Sequence, residues 1–292
     1  MKHPDYNSSS ALKKFLEERG MAMQKKFGQN FLLNQTARQR LIDSLDIGKS
    51  TRVWEVGPGL GAMTDEILRR GAILTAFEID RGFAECLREF FDTEIAENRF
   101  SLVQGDVLKT WKTEFETQKE NLPTRFFGNL PYNVAATIIA DTISAGVRFE
   151  KAVFTVQKEV AERMCAECGD ENYSSFSVLC RWAYDVKPLL DLAGANFWPK
   201  PNVASRAVIM SRREDFPRCS DPVFFMKMQR SLFSSRRKTV KNNLTAFLSN
   251  AENAEKSLSA AGIDEKKRAE ELEISDLLKL SDCVKSVLGE KV

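Results

Sequence analysis

Between residues 52 and 156 the sequence alternates short apolar stretches that are typical of strands with amphipathic stretches that are typical of helices. We predict strands at 52–56, 73–79, 99–104, 124–128 and 151–156, and one more at 206–210. Strands separated by helices in this way form βαβ units, in which the strands run parallel and the helices cover the sheet. The alternation therefore predicts an α/β protein with a Rossmann-like sheet. Only helical patterns follow residue 213.

Four successive predicted strands lead directly into a glycine or a polar side chain. Gly57 follows the first strand, Glu78 ends the second, Asp106 follows the third and Asn129 follows the fourth. Open parallel sheets bind their ligands beyond the carboxyl ends of the strands. These residues should therefore meet at one edge of the sheet and form a ligand pocket.

The turn after the first strand reads Glu55-Val-Gly-Pro-Gly-Leu-Gly61, which has the spacing G-x-G-x-G. Glycines here, including Gly57 and Gly59, let the backbone approach a ligand closely. Nicotinamide dehydrogenases typically show G-x-G-x-x-G. The observed spacing suits a ligand without a pyrophosphate, such as S-adenosylmethionine, but a nicotinamide oxidoreductase remains a less favoured alternative.

Two acidic residues fit a nucleoside in that pocket. Glu78 lies about twenty residues beyond the glycines, where an acid accepts hydrogen bonds from ribose hydroxyls of either cofactor. Asp106 could accept from an adenine amino group, and could equally serve as a helix N-cap. Both residues support nucleoside binding without deciding which nucleoside is bound.

The segment Asn129-Leu130-Pro131-Tyr132 carries the most specific chemistry. The exocyclic amine of adenine is a poor nucleophile because its lone pair is delocalised into the ring. An Asn oxygen and a nearby backbone carbonyl can each accept one N–H and so direct the lone pair toward a methyl group. Proline fixes the backbone, and the tyrosine ring can stack on the base. These positioning effects are adequate for methyl transfer from a sulfonium.

Composition excludes several other classes. The single histidine is His3, so Ser-His-Asp and Cys-His catalysis are not expected. Of the six cysteines only Cys165 and Cys168 are closely spaced, and a zinc site needs more ligands, so we predict no metal. No apolar run is long enough for a membrane helix and the start lacks a secretory signal, so a cytoplasmic location is expected. We expect residues 1–10 to be disordered.

Basic residues are clustered after the sheet, although the whole chain carries only +2. Between residues 206 and 241 there are ten basic and three acidic residues, a net charge of +7, which favours contact with phosphates. The predicted RNA-binding residues are Arg236, Arg237, Lys238 and Lys241. We predict an N-terminal extension at 1–20, a methyltransferase domain at 21–212 and a small all-helical domain at 213–292.

The ordered motifs resemble those of the ribosomal RNA adenine dimethyltransferases. The matching segments are 26–32 (KFGQNFL), 55–61 (EVGPGLG), 78–80 (EID), 105–106 (GD), 128–133 (GNLPYN), 157–161 (QKEVA), 197–205 (FWPKPNVAS), 236–239 (RRKT), 262–264 (GID) and 268–270 (RAE). The resemblance covers the chain from about residue 24 to its end. One departure is 173–178, where YSSFSV replaces the family's YGRLSV and a basic residue is missing.

The resemblance implies a class I methyltransferase sheet with a small C-terminal helical domain, and S-adenosylmethionine as cofactor. It also implies dimethylation of two adjacent adenosines near the 3′ end of 16S rRNA in the small ribosomal subunit. It implies that Phe197 helps to hold the flipped base. The implied cofactor contacts, together with Gly59 of the glycine turn, are Asn30, Leu32, Gly57, Glu78, Asp106 and Asn129.

Two alternatives remain open on the sequence. A methyltransferase of the macrolide-resistance type would act on an adenine of 23S rRNA, although Leu130 and the segment 262–264 favour the small-subunit enzyme. A non-catalytic assembly factor would bind the small subunit without methylating it, and the intact motif at Asn129 argues against this. Nothing indicates an obligate dimer, so we expect a monomer.

Overall fold

The computed structural model describes residues 3–24, 28–130 and 132–289. Its strands are Phe31–Leu32 (β1), Arg52–Val56 (β2), Ile73–Glu78 (β3), Phe100–Gln104 (β4), Arg125–Asn129 (β5), Lys151–Gln157 (β6), Tyr184–Leu192 (β7), Phe197–Trp198 (β8) and Ser205–Arg212 (β9). The predicted α/β fold class is confirmed by this sheet and by the helices around it.

Seven strands form one sheet in the order β4-β3-β2-β5-β6-β9-β7. The five strands β2 to β6 pair in parallel, as the strand–helix alternation predicts, and β9 pairs antiparallel with β6. The order reverses between β2 and β5, which places a crevice at the carboxyl ends of these two strands. β1 and β8 form a separate two-stranded antiparallel ribbon.

The helices are Ser9–Glu18 (α1), Gln35–Asp43 (α2), Ala62–Arg69 (α3), Arg81–Phe90 (α4), Asp92–Ala96 (α5), Val107–Thr117 (α6), Tyr132–Ser144 (α7), Lys158–Cys165 (α8), Ser175–Ala183 (α9), Pro222–Leu232 (α10), Val240–Leu248 (α11), Ala251–Ala261 (α12) and Ile274–Val287 (α13). Among the described residues, no helix combines the length and the apolar character that a membrane crossing requires.

The central strands β2, β5 and β6 are buried along most of their length because helices cover both faces of a parallel sheet. Trp54 on β2 is 1% exposed and packs against Phe126 of β5 and against Phe149, with ring centroids 6.1 and 5.7 Å away. Within the seven-stranded sheet, the edge strand β7 is the one that the sequence pattern did not indicate, and the short strands β1 and β8 of the ribbon were not indicated either. Its segment YDVKPLLDL contains charged residues and proline, as edge strands often do, and these mask the strand alternation.

The N-terminal residues are ordered, so the expectation of disorder at 1–10 is wrong for residues 3–10. The ring of His3 stacks on Phe90 at 4.9 Å, and the Tyr6 hydroxyl donates to the Leu60 carbonyl at 2.8 Å. Helix α1 buries Leu12 and Leu16, which lie one helical turn apart, in the same core. Polar composition concealed these contacts, because a few apolar side chains at the right spacing suffice to hold a short segment.

Two compact units can be distinguished by their internal contacts. The first comprises the chain up to Ile138, then Phe149–Ala161 and Lys187–Ser211, and it contains the parallel sheet. The second comprises Ile139–Arg148, Glu162–Val186 and the chain from Arg212 onward. A single boundary near residue 212 therefore does not describe the division, since the chain enters the second unit twice before that point.

The second unit is helical around a core that includes Phe225, Leu244 and Leu258. Helix α9 is capped by Ser174, whose hydroxyl accepts from the Ser177 N–H, so the family departure at this position provides a helix cap. Helix α11 begins at Val240, because Thr239 acts as its N-cap. The residues 236–238 consequently lie in a turn.

Candidate active site

The glycine turn connects β2 to α3 through left-handed backbone conformations. Gly59 and Gly61 have φ values of +58° and +86°. A Cβ atom at Gly59 would lie 3.0 Å from the Phe31 ring, and one at Gly61 would lie 2.8 Å from Phe91. Larger residues would therefore be strained and would crowd the cradle that the turn forms.

Glu78 is buried at the end of β3, with 4% of its surface exposed. Its Oε2 accepts from the backbone N–H of Gly59 at 3.0 Å, and its Oε1 accepts from the backbone N–H of Asp80 at 2.8 Å. Burial raises the pKa of Glu78 to about 7, although both hydrogen bonds oppose the increase. The carboxylate thus ties the glycine turn to β3 and keeps lone pairs that can accept from hydroxyl groups of a ligand.

Glu55, two residues before the turn, is a second buried carboxylate. It is 1% exposed, and its Oε2 accepts from the Thr64 hydroxyl at 2.7 Å. Burial, with a smaller contribution from the negative charge of Glu78, raises its pKa to about 8, although the hydrogen bond from Thr64 opposes the increase. Glu55 does not line the cavity described below, so its role is to hold α3 against β2.

Asp106 and Asn129 extend the site on either side. Asp106 caps α6, because its Oδ1 accepts from the Leu108 N–H at 3.0 Å, so the N-cap reading of this residue holds while it also lines the cavity. The Nδ2 of Asn129 donates to the backbone carbonyl of Asn30 at 3.0 Å. This bond joins two motifs that lie 99 residues apart and orients the Asn129 side chain.

One cavity unites most of the predicted ligand contacts. The predicted site residues that line it are Asn30, Leu32, Gly57, Gly59, Glu78, Asp106 and Asn129. Leu130 and Phe197 do not line it; they are 3% and 5% exposed and pack in the interior. Phe197 is in β8, opposite Leu32 of β1, which explains its burial. Pro131 and the Tyr132 side chain lie outside the described residues.

Three residues with polar or charged side chains that the sequence did not single out also line this cavity: Tyr6, Arg38 and Thr155. The Arg38 guanidinium is 3% exposed and donates to the carbonyls of Leu32 and Leu33 at 2.8 Å. No motif indicates these residues, because the first comes from the N-terminal segment, the second from the interior of α2 and the third from the middle of an apolar strand.

The lining identifies the kind of ligand that fits. Arg38 is its only basic residue in the described part of the chain, and that guanidinium is occupied by backbone carbonyls, whereas Glu78 and Asp106 are acidic. A dinucleotide pyrophosphate would find no available cation there. A nucleoside with a positively charged sulfonium matches both the acidic lining and the tight glycine cradle.

The predicted RNA-binding residues all belong to the second unit, and two of them have acidic neighbours. Arg236 donates to Glu270 at 2.8 Å and Lys241 contacts Glu255 and Glu265, each at 2.8 Å. The two remaining residues, Arg237 and Lys238, are exposed and make no ion pair with a described residue. The described residues contain no group of three or more His, Cys, Asp or Glu side chains that could hold a metal ion.

The parallel sheet, the glycine turn with its buried Glu78, and Asn129 at the crevice define a class I S-adenosylmethionine-dependent methyltransferase. The family model described as ribosomal RNA adenine dimethylase matches residues 20–286. The chain therefore belongs to the ribosomal RNA adenine dimethylase family, and the cofactor and enzyme class that the sequence predicted are confirmed.

Individual relatives agree with this membership. Proteins named ribosomal RNA small subunit methyltransferase A from Treponema denticola and Treponema pallidum are 46% and 43% identical to this chain. The matches cover 96% of both chains for the former, and 98% of this chain and 99% of the relative for the latter.

Two solved structures show the same fold. A dimethyladenosine transferase from Plasmodium falciparum superimposes with a TM-score of 0.68 at 24% identity, covering 85% of this chain and 94% of that one. The 23S rRNA methyltransferase ErmE superimposes with a TM-score of 0.62 at 20% identity, covering 87% of this chain and 99% of its own. Since this fold serves enzymes with different RNA substrates, the fold does not select the substrate.

Proposed function

We propose that this protein transfers methyl groups from S-adenosylmethionine to the exocyclic amines of two adjacent adenosines near the 3′ end of 16S rRNA. The substrate would be the small ribosomal subunit or its precursor, approached by a monomer in the cytoplasm. The observation that carries the proposal is the position of Asn129. Its side chain lines the same cavity as Glu78 and Gly59, and its orientation is set by the Asn30 carbonyl.

The residues at the edge of the sheet each make a different proposed contact with the cofactor. Glu78 accepts from the ribose hydroxyls, Asp106 accepts from the adenine amino group of the cofactor, and Gly57 and Gly59 let the backbone lie against it. Bound S-adenosylmethionine supplies an electrophilic methyl group on a sulfonium. These residues and Asn129 line one cavity, so they would hold the cofactor beside the target base, which favours a reaction between two reactants.

Asn129 then acts on the amine of the target base. Because its Nδ2 donates to Asn30, its Oδ1 is left to accept an N–H from the base. A backbone carbonyl nearby accepts the other N–H, and the nitrogen lone pair is directed at the methyl group. No strong base is needed, because the nitrogen sheds its proton only once it has become cationic. Stacking of the Tyr132 ring on the base, as the sequence motif predicts, completes the positioning.

The exposed cations of the second unit are proposed to contact RNA phosphates. Arg237 and Lys238 are available for this role without breaking an ion pair with any described residue, whereas Arg236 and Lys241 must share their charge with glutamates. We therefore place the main phosphate contact at the turn 236–238. The names of the relatives refer to the small subunit, which favours 16S rRNA over 23S rRNA as substrate.

A single labelling experiment tests the substrate. The protein is incubated with S-adenosylmethionine labelled in its methyl group and with small subunits that lack dimethyladenosine; large subunits and the Asn129→Ala variant serve as controls. We expect label in two neighbouring adenosines of 16S rRNA, located by mass spectrometry, and none with the variant. Label in 23S rRNA alone would favour the macrolide-resistance type, and binding without label would favour an assembly factor.

A further inference from the structure

We propose that the Thr155 hydroxyl is a further positioning group, which donates a hydrogen bond to a ring nitrogen of the target adenine beside its amine. The inference rests on the proposed function and adds a second contact to the one that Asn129 makes. It starts from a buried hydroxyl on β6 that lines the cavity.

The Thr155 side chain is 3% exposed, and its Oγ1 has no hydrogen-bond partner among the described residues. The other buried threonines are all satisfied. Thr64 donates to Glu55 at 2.7 Å, Thr75 accepts from a glutamine Nε2 at 2.8 Å, and Thr142 donates to a backbone carbonyl at 3.0 Å. A buried hydroxyl without a partner lowers stability, and valine would fill the same space without that cost. Because this residue lines the cavity, we take a bound ligand to be the partner of its hydroxyl.

The strand register places Thr155 beside Asn129. The two residues are paired across the parallel strands β5 and β6, and the Thr155 carbonyl accepts from the Leu130 N–H at 3.1 Å. Neighbouring strands are ~4.8 Å apart, and paired side chains of a parallel ladder lie on the same face of the sheet. Thr155 and Asn129 therefore border the same part of the cavity.

The order of the strands decides which ligand reaches Thr155. Asp106, Glu78 and Gly57 follow β4, β3 and β2, which lie on one side of β5, and β6 lies on the other side. A cofactor that contacts those three residues extends away from Thr155. The group that meets the hydroxyl must therefore belong to the molecule beyond Asn129, which is the target base.

On each side of its exocyclic amine, adenine presents an N–H donor next to a ring nitrogen that accepts. The amine N–H lies next to N7 on one edge and next to N1 on the other, and both ring nitrogens accept hydrogen bonds. Asn129 Oδ1 accepts and Thr155 Oγ1 donates, so the pair complements this arrangement. Cytosine offers its amine beside a ring nitrogen as well, but guanine presents an oxygen where adenine has its amine and would be rejected.

Two variants separate this role from a structural one. Thr155→Val keeps the branched shape and removes the hydroxyl, and Thr155→Ser keeps the hydroxyl. Because the hydroxyl has no described partner, Thr155→Val should fold with a melting temperature equal to or above that of the wild type. Methyl transfer by Thr155→Val should fall about tenfold, as expected for one lost hydrogen bond, and Thr155→Ser should retain most of the activity.

The decisive measurement combines the variants with altered bases. Small subunits are reconstituted with 16S rRNA that carries adenosine, 7-deazaadenosine or 1-deazaadenosine at one target position, and single-turnover rates are measured. We expect one of the two analogues to slow the wild type about tenfold and to leave Thr155→Val without a further loss, because both changes remove the same bond.

Two results would overturn the inference. The first is a methylation rate of Thr155→Val on adenosine within twofold of the wild-type rate. The second is that, with each of the two analogues, the loss of rate caused by the analogue multiplies the loss caused by the variant. In either case, wild-type activity on unaltered subunits shows that the proposed function itself stands. Absence of methylation by the wild type would instead remove the proposed function and, with it, this role of Thr155.

Discussion

Replacing Glu78 with glutamine should abolish a pH dependence of cofactor binding that the wild-type protein is expected to show. The carboxylate is buried, both of its oxygens accept backbone N–H groups, and its pKa is raised by burial to about 7. A protonated carboxyl group has to use one oxygen as a donor, so it is a poorer acceptor for two ribose hydroxyls. The cofactor should therefore bind the ionised form of Glu78 and release a proton whenever the free protein carries one.

The magnitude follows from the raised pKa. If only the ionised carboxylate binds, the apparent Kd is multiplied by one plus the ratio of protonated to ionised Glu78. With a pKa of about 7 this factor is about 11 at pH 6, about 2 at pH 7 and about 1.1 at pH 8. The affinity should accordingly increase about tenfold between pH 6 and pH 8.

Calorimetric titration with S-adenosylmethionine at pH 6, 7 and 8 measures this change. Repeating each titration in buffers with different ionisation enthalpies counts the protons released. The glutamine variant should bind more weakly at pH 8, because its NH₂ group faces one of the two backbone N–H donors. The affinity of this variant should change with pH only through titration of the amino group of the cofactor. The difference in pH dependence between the wild type and the variant therefore gives the contribution of Glu78.

Glu85→Gln is the matched control, since Glu85 is an exposed carboxylate on α4 that pairs with Arg81 and does not line the cavity. This variant should retain the full pH dependence of the wild type. The reasoning fails if wild type and Glu78→Gln differ by the same factor at all three pH values, because the carboxylate would then be ionised throughout this range.

Three other changes have defined outcomes. Asn129→Ala should lower the single-turnover rate of methyl transfer about a hundredfold or more while calorimetry shows that cofactor and RNA still bind. The logarithm of RNA affinity falls with the logarithm of salt concentration, and joint replacement of Arg237 and Lys238 with glutamate should reduce the magnitude of this slope by about two. Arg236→Glu should reduce the slope less, because an acidic neighbour already shares the charge of Arg236. A slope equal to that of the wild type in the double variant would exclude this turn as a phosphate contact. The buried Glu55 has a pKa raised to about 8, so its stabilising contribution is present below its unfolded pKa and lost as pH rises toward 8. Glu55→Gln should consequently increase the free energy of unfolding at pH 8 by at most about 4 kcal/mol, measured as a higher melting temperature, and should change it little at pH 5.

The residues at the ends of the strands were accessible to reasoning from sequence alone. Glu78, Asp106 and Asn129 each come at the end of an apolar stretch. The carboxyl ends of parallel strands lie at the same edge of the sheet regardless of the loops that connect them. The glycine turn was equally accessible, because its conformation depends on residues that are adjacent in the chain.

Residues whose position depends on packing between distant segments were not accessible. Phe197 stands in a proline-rich segment that suggests an exposed loop, yet its pairing with β1 buries it. Tyr6 belongs to a polar start that suggested disorder, and its contact with Leu60 depends on where α1 docks. The charge count at 206–241 did not reveal that Arg236 and Lys241 face glutamates from other segments.

The sequence by itself determined the parallel strands, the glycine turn and the residues at the strand ends, and it predicted the chemistry of the Asn129 motif, because periodicity and local backbone preference act over a few residues. Only the tertiary structure decided that Asn30 orients Asn129, that Tyr6 and Arg38 complete the wall of the cavity, and that Thr155 lines this cavity with a hydroxyl that has no partner among the described residues. Those contacts join segments far apart in the chain, and they depend on strand order and register, which the local pattern leaves undetermined.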